Sequence, residues 1–143
     1  MLSQKCKYAI RTVLYLSIEG NKTHPKGGKE ISTTLKIPEA YTGKILQELA
    51  KKNIITSVKG PGGGFYLSEK NLHAPMINII EIIDGLSFFD SCGIGLSKCS
   101  NEHPCPIHND FKIAREHLKK TFINKSVLEL AKEIKTNDFT LVR

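Results

Sequence analysis

Apolar side chains recur at helical spacing through most of the chain, and the places where they stop mark its turns. Between Gln4 and Glu19, Ala9, Ile10, Val13, Leu14 and Leu16 make one broad apolar face, which predicts a helix. Ser3 is placed to cap it and Gly20 to end it. A polar stretch with Pro25, Gly27 and Gly28 follows. Residues 29–36 predict a short helix, with Ile31 and Leu35 one turn apart. Pro38 stands at a first-turn position, where its missing N–H costs nothing. Residues 39–52 predict a further helix with Tyr41, Ile45 and Leu49 along one face, and Asn53 suits a left-handed stop. Two short helices joined by a tight turn form a helix-turn-helix candidate. The β-branched run at 54–58, the turn Gly60-Pro61-Gly62-Gly63-Gly64 and the segment 65–67 predict a β-hairpin with a glycine-rich tip.

The second half has a different texture. Residues 68–74 read as a linker, and 76–85 as a helix apolar almost all round (Ile77, Ile79, Ile80, Ile82, Ile83), hence deeply buried. Residues 86–106 lack periodicity. Over 107–122, Ile107, Phe111, Ala114, Leu118 and Thr121 alternate by four and three, the spacing of a short coiled-coil seam. Such a seam suits a contact between two copies, with packing on its own chain as the plainer alternative. Ser126 and Glu129 form a capping box before a last helix with Val127, Leu130, Ala131 and Ile134 on its apolar face. The expected fold is therefore mainly α with a small β-hairpin. It divides into a winged helix-turn-helix at 1–68 and a region at 69–143 that carries a long dimerisation helix and a cysteine-rich sensor segment.

Charge sharpens this picture. Residues 1–68 hold 11 Lys and Arg against 4 Asp and Glu, so the whole net charge of +7 lies in the first half. A basic surface attracts a polyanion such as double-stranded DNA and releases its condensed counterions. No apolar run approaches the roughly 20 residues that span a bilayer, and the first residues lack a signal peptide's apolar stretch. The expectation is a cytoplasmic protein without a membrane partner. No phosphate loop, paired-carboxylate motif or nucleophile with an evident base is present, which argues against an enzyme. The glycine-rich tip is not a nucleotide loop either, because no Gly-Lys-Ser/Thr and no helix follow it.

In a helix-turn-helix, the start of the second helix enters the major groove. The candidate groove residues are Ala40, Tyr41, Thr42, Lys44 and Gln47. Tyr41, Thr42 and Lys44 have phosphate-contacting chemistry, and Gln47 has the donor–acceptor pair that reads adenine. Lys51 and Lys52 suit phosphate anchors. At the hairpin, Lys59, Gly60, Pro61, Gly62 and Gly63, with Lys29, can approach DNA closely. Any one of these is equally readable as an ordinary solvated side chain, and Tyr41 as part of the core. Gly43 weakens the helix by roughly 1 kcal/mol relative to alanine.

Cys92, Cys99, Cys105 and His108 have the form C-x6-C-x5-C-x2-H. Thiolates are soft ligands that suit iron–sulfur clusters, zinc or copper(I). Three Cys and one His make four ligands, enough for a two-iron (2Fe-2S) cluster. The gaps are wide for the paired Cys-x2–4-Cys of zinc modules. A bare thiol switch is a further alternative. Cys6 reads as a small buried thiol.

Together, Lys7-Tyr8-Ala9, the helix-turn-helix, the run from Lys59 to Leu67 and the cysteine cluster resemble the Rrf-type family of bacterial winged-helix regulators, the group of IscR, NsrR, RirA and CymR. The likeness is strongest to the IscR-like iron–sulfur branch and covers about residues 1–135. The resemblance implies a homodimer with winged-helix heads and a long dimerisation helix. It further implies control of genes for iron–sulfur assembly, iron, nitrosative stress or sulfur metabolism. In that branch, three Cys and a His hold a two-iron cluster, and Cys92, Cys99, Cys105 and His108 match that pattern. The first Cys gap is one residue longer here, and Gly43 replaces an acidic side chain on the recognition helix. The nitric-oxide-sensing branch can draw an acidic ligand from its first helix, where this chain has Tyr8. The expected function is a transcription regulator, a repressor in at least one state, sensing through the cluster. The alternative is a cluster-free regulator of the same fold governed by thiol oxidation, zinc or a protein partner.

Overall fold

A computed structural model describes residues 1–142. Its order is α1 (Gln4–Glu19), α2 (Gly28–Leu35), α3 (Glu39–Lys51), β1 (Thr56–Val58), β2 (Gly64–Tyr66), α4 (Glu69–Leu72), α5 (Ile77–Ile83), a 3-10 turn (Ser87–Phe89), α6 (His108–Ile123) and α7 (Val127–Thr136). This is the mainly helical winged-helix arrangement that the periodicity predicts.

Ser3 caps α1 by accepting from the Cys6 amide at 3.0 Å, and it also donates to Asp84 at 2.5 Å. The start of α1 is thereby tied to the end of α5. Gly20 ends α1 in an extended conformation rather than a left-handed one, and a Cβ there would lie 3.0 Å from the Leu16 carbonyl. Outside glycine, left-handed turns fall instead on Lys36, at the end of α2, on Asn53 and on Asp138.

The inner face of α3 is Thr42, Ile45, Leu46 and Leu49, packed with Ala9, Val13, Leu16, Ile31 and Leu35. Tyr41 does not belong to it: a 100° step per residue turns Tyr41 outward, 50% exposed. Met76, Ile79 and Val127 complete this larger core, so it draws on both sides of position 68. A smaller core joins Cys6, Ile77, Ile80 and Phe89, with Leu118 and Phe122 of α6 against it. Each such aliphatic or aromatic burial contributes roughly 1.5–3 kcal/mol.

The segment 68–74, expected to be a linker, holds α4, a single turn closed by a capping box between Ser68 and Asn71. Asn71 is buried and ties three elements together. It donates to the Asn53 carbonyl at 2.8 Å and accepts from Thr56 Oγ1 at 3.2 Å and Ser68 N at 3.0 Å. Periodicity cannot show an element this short. The outcome for α6 is also mixed. Phe111 and Leu118 of the expected seam turn toward their own chain, while Ile107, Ala114 and Thr121 face outward. No residue of α6 is fully buried among the described residues.

Candidate functional site

Between the 3-10 turn and α6 the chain makes three turns that are each opened by or close on a cysteine. Gly95 N donates to Cys92 O at 3.1 Å, Cys99 N to Leu96 O at 3.3 Å, and His108 N to Cys105 O at 2.9 Å. A Cβ on Gly93 would meet the Phe111 ring at 2.9 Å, so glycine lets this loop lie on α6. Arg115 donates to the Ser91 carbonyl and Lys119 reaches Asp90 at 3.7 Å, pinning the loop's first half to the same helix.

These turns bring together residues far apart in a stretch without periodicity. The sulfur atoms of Cys92, Cys99 and Cys105 all lie within 4.8 Å of one another. Cys92 and Cys105 are 3.7 Å apart, and His108 Nδ1 is 3.1 Å from Cys99 Sγ. Three thiols converge and one imidazole nitrogen lies beside one of them, so the donor set fits a thiolate-bound metal ion or cluster.

Local hydrogen bonding differentiates the thiols. The amides of Ile94 and Leu96 stabilise the Cys92 thiolate and lower its pKa to about 7. The Cys105 backbone pulls Cys99 the same way, but burial and the two neighbouring thiols outweigh it and raise Cys99. Burial and then the Asp84 carboxylate push Cys6 up to about 12, as expected of a core thiol. The thiolate is the nucleophile. In metal-free native protein near neutral pH, iodoacetamide should therefore modify Cys92 ahead of Cys99 and leave Cys6 untouched until unfolding. Peptide mapping over time checks this; labelling of Cys6 at the Cys92 rate would contradict it.

Away from the cysteine loop in sequence, α3 and its cap present Ala40, Tyr41, Lys44, Gln47, Lys51 and Lys52 to solvent. Thr42 does not join them. It is 1% exposed, and its hydroxyl donates to the Pro38 carbonyl at 3.3 Å. Three residues before Ile45, it lies on the inner face and is withdrawn as a phosphate contact. Lys29, Lys59, Gly60, Pro61 and Gly62 are exposed, and Gly63 is half-buried. The hairpin pairs Thr56 with Tyr66, Ser57 with Phe65 and Val58 with Gly64. Its tip closes through Gly63 N to Gly60 O at 2.9 Å, with Pro61 and a positive-φ Gly62 (+73°) between them. Lys26 adds a bridge outside β2, with Lys26 N to Phe65 O at 2.8 Å and Phe65 N to Lys26 O at 2.9 Å.

Sequence reasoning missed how α1 supports this face. Tyr8 meets Tyr41 edge-on at 5.9 Å, Arg11 lies over the Tyr8 ring at 5.2 Å, and Lys5 pairs with Glu48 at 2.5 Å. The Tyr8–Tyr41 and Lys5–Glu48 contacts join positions 33 and 43 residues apart, and no periodicity signals them. No helix among the described residues is long and apolar enough to cross a membrane.

Comparison with known proteins agrees with this architecture. Residues 2–133 match the Rrf2 family, described as iron-dependent transcriptional regulator. An Aquifex aeolicus protein named as an HTH-type transcriptional regulator is 27% identical over 91% of this chain and 90% of its own length. The HTH-type transcriptional regulator IscR of Klebsiella pneumoniae is 26% identical over 90% of this chain and 78% of its own. Among solved structures, the global cysteine regulator CymR of B. subtilis superposes with a TM-score of 0.73 at 20% identity, covering 93% of this chain and 97% of that one. T. potens IscR superposes with a TM-score of 0.75 at 16% identity, covering 98% and 92%. These relatives are regulators of transcription rather than enzymes, and this chain belongs to the Rrf2 family of transcriptional regulators.

Proposed function

We propose that the protein is a homodimeric, iron–sulfur-sensing transcription regulator that binds double-stranded operator DNA and represses in at least one state of its metal centre. The observation that carries this reading is the convergence of Cys92, Cys99 and Cys105, with His108 Nδ1 beside Cys99. Four such ligands suffice for a two-iron cluster with two ligands on each iron. When bound, that group supplies bonds sensitive to oxidant, to nitric oxide and to iron supply.

The chain's own residues do the rest. His108 opens α6, so whatever holds the thiols together also holds the first turn of that helix. Further along α6, Leu118 and Phe122 rest on the small core that joins Cys6 of α1 to Ile77 and Ile80 of α5. In turn α1 supports α3 through Lys5–Glu48 and Tyr8–Tyr41. A group that favours one arrangement of α6 shifts the population of DNA-competent protein by its differential affinity. The outward residues of α6, Ile113 (67% exposed), Ala114 and Thr121, serve the contact between two copies. A dimer places two α3 helices against two half-sites. There Gln47 reads a base edge, Lys44, Lys51 and Lys52 hold phosphates, and Lys29 and the 59–63 tip reach the adjoining backbone.

Protein purified without oxygen should show visible charge-transfer bands, with about two iron and two sulfide per monomer. Alanine at Cys92, Cys99 or Cys105 should abolish the bands and change operator affinity. If all three variants keep full absorbance and unchanged DNA binding, the reading is wrong. The 3.7 Å approach of Cys92 and Cys105 sulfurs supports a second reading. In it, an oxidant such as a peroxide takes two electrons and two protons from this pair, forms the disulfide and is itself reduced. That reading expects colourless anaerobic protein whose DNA binding responds to oxidant.

A further inference from the structure

The His108 ring has two faces of contact, and only one belongs to the thiols. Nδ1 lies 3.1 Å from Cys99 Sγ, while Nε2 lies 3.1 Å from Oδ1 of Asn101. The same Oδ1 is 3.2 Å from the Lys112 ammonium. That second contact identifies the Asn101 atom by chemistry. An ammonium only donates, so the atom facing both Lys112 and His108 must be the amide oxygen rather than the amide nitrogen. An amide oxygen only accepts. A neutral imidazole has one N–H and one lone pair, so the proton must sit on Nε2 and the lone pair on Nδ1.

We propose that Asn101 is the positioning residue of the metal centre, fixing the His108 imidazole with its proton on Nε2 and its Nδ1 lone pair turned toward the cysteines. The inference rests on the reading of Cys92, Cys99, Cys105 and His108 as ligands. Its physical basis is that a free imidazole ring rotates and exchanges tautomers, and only one orientation of one tautomer offers Nδ1 to the thiol side. The hydrogen bond on the far nitrogen selects both, and it makes Nδ1 a better donor. Asn101 is suited to this because it is itself held. Ser100 Oγ accepts from the His103 amide at 3.1 Å and the Glu102 amide at 3.3 Å, which folds residues 100–103 into a tight turn. Lys112 follows His108 by one helical turn, so Asn101 spans two turns of α6 and sets the loop against the helix. The signal was absent from the C-x6-C-x5-C-x2-H spacing, because Asn101 lies between two ligands in sequence and acts on a third.

The test uses full-length protein and two readouts. First, long-range proton–nitrogen NMR on metal-free, histidine-labelled protein reports the tautomer of the neutral His108 ring. Wild type should show Nε2–H. Asn101→Ala should move the ring toward a mixture with Nδ1–H, and Asn101→Asp, which keeps an acceptor oxygen, should restore Nε2–H. Second, iron and sulfide retained against a competing chelator after anaerobic reconstitution should fall 10–100-fold in affinity for Asn101→Ala. Asn101→Asp should recover most of it. A merely structural role would not move the tautomer and would not be rescued by the acid. An Nδ1–H ring in wild type, or an Asn101→Ala variant with unchanged tautomer, overturns the proposal whatever the iron content. Wild-type protein that takes up no iron with sulfide overturns the reading of the centre, whatever the NMR shows.

Discussion

Replacing Gly63 with alanine should lower affinity for duplex DNA by about tenfold or more while leaving the helical core folded. The reason is local and steric. A Cβ at Gly63 would come within 2.8 Å of the Gly60 carbonyl oxygen and closer still to that of Val58. Both obstacles are backbone, so neither can rotate away, and relief requires the two strands to part. Overpacking of this kind costs typically 1–3 kcal/mol. Only three residue pairs hold the hairpin, so the strain is released by reshaping the wing rather than absorbed. Gly62 is the informative control. Its Cβ would meet open space, but φ is +73°, and a left-handed alanine costs roughly 1–2 kcal/mol without displacing a strand. Tenfold in affinity corresponds to about 1.4 kcal/mol. Fluorescence anisotropy on duplexes selected by the wild-type protein, with far-UV circular dichroism alongside, makes the comparison. Equal binding by wild type and Gly63→Ala, or a larger loss for Gly62→Ala, would show that the wing's shape does not depend on this contact.

Phe89→Ala is expected to loosen the segment from the 3-10 turn through α6 before helices α1 to α3. Phe89 is 3% exposed and meets Phe88 at 5.4 Å and Phe122 at 6.4 Å between ring centres. Truncating a buried phenylalanine costs about 3–5 kcal/mol. The lower end applies here, because the neighbouring Leu86, Phe88 and Leu118 are only half-buried and can close around the gap. Even so, the loss is a large share of a typical domain stability of about 5–15 kcal/mol. It falls where the fold is thinnest: α6 has no fully buried residue among those described and leans on this cluster through Leu118 and Phe122. Hydrogen exchange should accelerate first over 86–123, with α1 to α3 still protected. Uniform acceleration along the whole chain, or a stability loss below about 1 kcal/mol, would mean that Phe89 is not the joint between the two parts.

The features legible in the sequence were those that repeat or carry unusual chemistry. Helices α1, α3, α5, α6 and α7 declare themselves through apolar residues three and four apart, and the hairpin through a β-branched run and five consecutive turn residues. The metal-ligand candidates stood out because Cys is scarce elsewhere in the chain and three of the four lie within fourteen positions. Where periodicity was correct but phase was not, residues were misassigned. Tyr41 and Thr42 exchange roles because one residue is 100° of helix, enough to move a side chain from solvent to core. In α6, the residues that alternate by four and three straddle the boundary between the two faces, so two of the five residues of the expected seam pack inward.

By itself, then, the sequence determined the succession of the longer elements, the basic character of the first half and a set of candidate soft ligands. Each of these follows from residue type and spacing along one strand of chain. Tertiary structure alone decided which face of each helix is wet, that one core spans both halves, and that Asp84 holds the start of α1. It alone brought three sulfurs within 4.8 Å and set Asn101 behind His108. Those outcomes depend on contacts between residues distant in sequence, where no local pattern constrains the geometry and only the closing of the chain on itself does.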